Sequence, residues 1–91
     1  MKYIVKEYIA VPGLHRWVDA EVIVVNNDNV DAAIATETRM AHFHGEQIIG
    51  FRVYEEAYRA HDLVNEIRAD KAVKLAQWRH EVYGEPIPVA S

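Results

Sequence analysis

Hydrophobic and polar positions alternate along residues 3–11, with Tyr3, Val5, Ile9 and Val11 on one side and Ile4, Lys6, Tyr8 and Ala10 on the other. A period of two in a stretch rich in β-branched and aromatic residues predicts a strand. Pro12-Gly13 ends it, because proline presets a turn and glycine accepts positive φ. Alternation resumes over 16–25, where Val18, Ala20, Val22 and Val24 share one face and Trp17, Asp19, Glu21 and Ile23 the other. The two strands should form an antiparallel hairpin. NNDN (26–29) breaks the pattern, and the period lengthens to that of a helix through VDAAIATETRMAHF. Asp28 is the expected N-cap, and Asp31 lies where its charge suits the helix N-terminus. Gly45 is the expected left-handed end. The inward stripe is Val30, Ala33, Ile34, Met40 and Ala41, with Glu37 inside it. A third strand, QIIGFRVYE (47–55), should bury Ile49, Phe51 and Val53 in preference to Ile48, Arg52 and Tyr54. A last helix begins near Glu55 or Glu56 and runs to Tyr83, where Gly84, Pro86 and Pro88 forbid continuation.

This order, ββαβα, predicts a single α+β domain spanning 1–91. A right-handed crossover through the first helix places strand three beside strand one and antiparallel to it, giving a three-stranded antiparallel sheet of order 2-1-3. One helix covers a face of that sheet. The opposite face, carrying Ile4, Tyr8, Trp17, Ile23, Ile48 and Tyr54, is too apolar to stay wet.

The long C-terminal helix carries two apolar faces. At about 100° per residue, Ala57, Ala60, Leu63, Val64, Ile67, Leu75, Trp78 and Val82 form one band, with Lys71 and Lys74 in its middle. Nearly opposite lie Tyr58, Ala69, Ala72, Val73, Ala76 and Tyr83. One packed face accounts for one stripe only. Three arrangements resolve the surplus. The helix breaks near Arg68-Ala69-Asp70 with Asp70 as a new cap, or it stays straight and pairs with a copy of itself through small residues that allow close approach, or it seats in another protein's groove. The expected interface is Ala69, Ala72, Val73, Ala76 and Tyr83, and the expected assembly a homodimer.

Composition narrows the function classes. The 91 residues include no cysteine, which excludes disulfides, thiolate zinc sites and cysteine nucleophiles. Fourteen acidic and ten basic residues give a formal charge of −4, scattered along the chain, so no basic face invites nucleic acid and no dense carboxylate row imitates it. No apolar run approaches the roughly 20 residues of a membrane span. The opening MKYIVKEYIAV, interrupted by Glu7, does not read as a secretory leader. A cytoplasmic location is expected.

HFHG (42–45) is the sharpest chemical candidate. Glu37, His42 and His44 could serve a small metal-dependent or acid–base enzyme, with His61 or His80 completing a ligand set. Two histidines spaced i, i+2 diverge by about 200° on a helix, and histidines in a last turn suit the carbonyl end of the helix dipole. An acid within an apolar helix stripe more often meets a cation, here Arg39, Arg52 or a sheet lysine. The four glycines form no phosphate-binding pattern, and the only serine is Ser91. Trp17 and Trp78 read as core or interface anchors. No cofactor and no metal is expected, and an enzyme is disfavoured.

DAAIATETRMAHFHGEQIIGFRV (31–53), preceded by a hairpin, resembles small phage-encoded proteins, including some anti-CRISPR inhibitors of type I systems. The likeness rests on element order and on Phe43, His44 and Gly45, and covers about half the chain. It implies a protein that binds and blocks a host protein complex. The long C-terminal helix departs from that pattern, so no functional residue is carried over.

Overall fold

A computed structural model describes residues 1–10 and 17–87. The chain runs β1 (Lys2–Ala10), β2 (Val18–Val25), a 3-10 turn (Asn27–Asn29), α1 (Val30–His44), β3 (Glu46–Tyr54) and α2 (Ala57–Tyr83). The α+β class, the sheet order β2-β1-β3 and both antiparallel pairings are as the pattern predicts. The anticipated Pro12-Gly13 turn, with Val11 and Arg16 beside it, lies outside the described residues.

The third strand departs from expectation, and a bulge is the reason. Tyr8 pairs with Ile48 while Glu7 pairs with Gly50, so Ile49 has no partner across the ladder. An extra residue in one strand reverses which side later residues face. Ile48, Phe51 and Val53 therefore share the side of Tyr8, Lys6 and Ile4, while Tyr54 joins Tyr3 on the other. Ile49 and Val53, expected inside, are largely exposed, and only Phe51 of that trio is half-buried.

The two helices cover opposite faces. The face of Ile4 and Lys6, anticipated as needing a cover, lies under α1, where Glu37 meets Lys6. Trp17, expected on that face, instead packs on Trp78 of α2, because it precedes the first paired residue of β2. The face of Val5 and Ala20 lies under α2. Val5, Ala20, Ala60 and Val64 form its buried centre, with Tyr3, Val22, Tyr54, Leu63 and Ile67 packed around them. Helix α1 turns Val30, Ala33, Ile34, Glu37 and Ala41 inward as expected, but Met40 outward. Asp28 is not its cap. It lies in the 3-10 turn, and Asn29 precedes the first helical residue without a side-chain cap bond. Gly45 does close α1 in the left-handed region, at φ 66°, its N–H reaching the carbonyls of Ala41 and His42.

Helix α2 is one uninterrupted element of 27 residues, about 40 Å long. The break near Asp70 does not occur: Asp70 is an interior helical residue, paired with Lys74 one turn on (2.9 Å) as an ordinary helical ion pair.

Candidate functional site

Two features of the molecule stand out, a buried charged cluster under α1 and the outer face of α2.

The cluster is built around Lys6, in the middle of the central strand. Every neighbour there is another strand or a helix, and its side chain is 1% exposed. An ammonium in such a place needs acceptors. It has three, Glu21 of β2 at 2.7 Å, Glu37 of α1 at 2.9 Å and Glu46 of β3 at 2.9 Å. Its Nζ also stands 5.0 Å from the centroid of the Tyr8 ring, within cation–π range. Burial alone would pull the Lys6 pKa down, but the three carboxylate hydrogen bonds outweigh it and hold the ammonium well above the ordinary lysine range. Burial, together with the charges of Asp19, Glu21 and Glu46, likewise keeps the Tyr8 phenol protonated beyond its usual value. A lysine so held stays charged and has no free pair with which to act as nucleophile or base. It ties one strand to both neighbours and to α1.

Of the residues anticipated for chemistry, the structure brings together Glu37 and His44, joined by Glu46. Their ligand atoms lie within 4.8 Å of one another. His42 is not part of that group. It is exposed at the helix end, its ring 5.7 Å from that of Phe43. Glu37 and Glu46 already hold the Lys6 ammonium, and His44 Nδ1 stands 3.7 Å from Glu46, beyond hydrogen-bond reach. The sheet lysine is thus the cation that Glu37 meets, while Arg52 pairs with Glu7 at 3.3 Å. Glu21 and Glu46 went unanticipated. The available signal was Lys6 itself, a lone charge sharing a central-strand face with Ile4 and Tyr8.

The second feature is α2. Its inner face is fastened at several levels. Ala60 and Val64 are buried against β1 and β2. Asp19 of β2 accepts hydrogen bonds from Lys71 (2.8 Å) and Arg68 (3.4 Å). Burial would raise the Asp19 carboxyl pKa, but the bond from Lys71, the Ala20 N–H and Arg68 together lower it. Further along, Trp78 packs edge-to-face on Trp17 (5.9 Å) and on Tyr83 (5.4 Å), so both tryptophans act as packing anchors. Among the described residues the outer face is held less, its contacts being the Tyr83 ring on Trp78, Ile87 beside Ala72, Val73 and Ala76, and His80 Nδ1 against the Glu85 carbonyl (2.8 Å). Tyr58 is 59% exposed, Val73 56% and Tyr83 67%. Ala69 and Ala72 between them are exposed as well, and Ala76 is half-buried. Ala72, Val73, Ala76 and Gln77 form, with Ile87 of the returning tail, an open apolar groove of about 240 Å³. All five anticipated interface residues therefore share one side of an uninterrupted helix.

Among the described residues no helix is long and apolar enough to cross a membrane. No family model, curated protein or solved structure matches this chain.

Proposed function

We propose that this chain is a non-enzymatic protein-binding protein that works in the cytoplasm and associates with itself through the outer face of α2. In line with its resemblance to small phage-encoded inhibitors, it acts by occupying a surface of a host protein complex. The observation that carries the self-association is the row Tyr58, Val73 and Tyr83, more than half exposed on an unbroken helix whose opposite side is packed from Ala60 to Trp78, with Val82 beyond it exposed. The dimensions support it. The chain exposes 6406 Å², against roughly 5,400 Å² for a folded monomer of this mass. Its radius of gyration is 15.4 Å, against roughly 12 Å for a compact domain of this length. The difference in area is of the size one partner buries in a standard interface, about 800 Å².

The test is light scattering of the wild type and of Ala72→Glu/Ala76→Glu. The reading expects a folded variant of lower mass than the wild type. A wild type already monomeric, with mass unchanged by the substitutions, would remove it. Competition between this chain and the natural ligand of a captured host complex tests the blocking role, and a complex that works undisturbed with the chain bound refutes it.

A metal-dependent or acid–base role has one observation in its favour, the convergence of Glu37, His44 and Glu46. The ammonium of Lys6 on two of these three groups weighs against a second cation there. Stoichiometric zinc in purified protein, or a melting point that chelator lowers strongly, would promote this reading over the first.

A further inference from the structure

We infer that two copies of this chain pair antiparallel along the whole of α2, about a two-fold axis crossing the helices near residues 70–71. This rests on the self-association proposed above and adds its geometry. The partner is a second copy because the exposed face is self-complementary in one direction only. With the helices antiparallel and centred, positions whose numbers sum to about 141 face each other. Tyr58 of one copy then lies beside Tyr83 of the other, Ala69 beside Val73, and Asp62 beside His80. All six are exposed positions, although the Tyr83 ring also rests on Trp78 and His80 Nδ1 on the Glu85 carbonyl of its own chain. A parallel pair would set Asp62 against Asp62 and His80 against His80, and would align the two helix dipoles unfavourably.

The small residues at the centre let the axes approach, and the tyrosines at the ends close the seam. Each copy holds its own sheet on the far side of its own helix, so the two sheets form the outer layers and do not collide. A two-fold contact of standard size takes about 800 Å² from each partner, and a helix of 27 residues offers a seam about 40 Å long for it.

The chain has no cysteine, so single labels report cleanly. His61 and Arg79 are exposed and flank the seam. Spin labels on His61→Cys and Arg79→Cys in the full chain would be measured separately and in an equimolar mixture, beside the mass of each sample. Antiparallel pairing expects a separation of about 27 Å within each homodimer, from 18 residues at 1.5 Å rise. In the mixture it expects an additional short separation, on the order of 10–15 Å. A dimeric mass with short separations in the homodimers and about 27 Å in the mixture would overturn the antiparallel geometry while leaving self-association intact. A dimeric mass with neither pattern would place the contact elsewhere and overturn the seam. Monomeric mass throughout would overturn both.

Discussion

Up to Val73, α2 has inner and outer faces of nearly the same chemistry and opposite fates. Inside, Ala60 and Val64 vanish beneath the sheet. Outside, Ala69 and Val73 offer the same two residue types to solvent. Residue type does not separate them, and helical phase does. Stepping nine residues from Val64 to Val73 turns the side chain by about 180°, from the strands to open water. A helix of 27 residues against a three-stranded sheet can hide one stripe, so the second is either a solubility defect or a surface with a use. The alanines favour the second account, because they cover little and admit a close neighbour.

Substitutions on the two faces should break this equivalence. The largest effect is expected from Val64→Asp, which buries an unpaired carboxylate in the α2-facing core and should cost about 4 kcal/mol or more. Denaturant titration would then find little folded protein. Lys6→Ala comes next. It leaves Glu21, Glu37 and Glu46 facing one another without their shared cation, and breaking such a buried cluster costs about 3–5 kcal/mol. Urea melts would show it as a lowered midpoint at unchanged slope.

Asp19→Asn should cost less, about 1 kcal/mol near neutral pH, because Lys71 and Arg68 are partly solvated. The folded-state pKa of Asp19 lies below its ordinary value of 3.8. Its contribution is therefore complete above that value and lost as pH falls through the lower folded-state one. Stability curves of wild type and variant should converge in that acid range, and a gap that persists below it would show that the carboxylate charge is not the cause. Val73→Asp, the counterpart of Val64→Asp, should change subunit stability by no more than about 0.5 kcal/mol when measured at high dilution. It should nonetheless weaken association, seen as a lower mass at high concentration.

Much of this architecture was legible in the chain. Alternation located β1 and β2, glycine located the end of α1, and a 100° step exposed both faces of α2. What escaped notice has physical causes. The bulge at Ile49 is a single extra residue, and period-two alternation survives on either side of it, so only the pairing with β1 reveals the inverted face. The Lys6 cluster joins residues from four separate elements, with Glu37 and Glu46 31 and 40 positions away from the lysine. No local pattern carries that information, although a lysine inside a central strand announces that acceptors must exist. The capping role expected of Asp28 failed because the NNDN segment forms a 3-10 turn first, which moves the start of α1 past it.

The most direct test of the central claim is the mass of the wild-type protein in solution, followed by sedimentation or light scattering across a wide concentration range. The account predicts a species of twice the 10.4 kDa chain mass that Ala72→Glu/Ala76→Glu dissociates. A single species of 10.4 kDa at every concentration would contradict it.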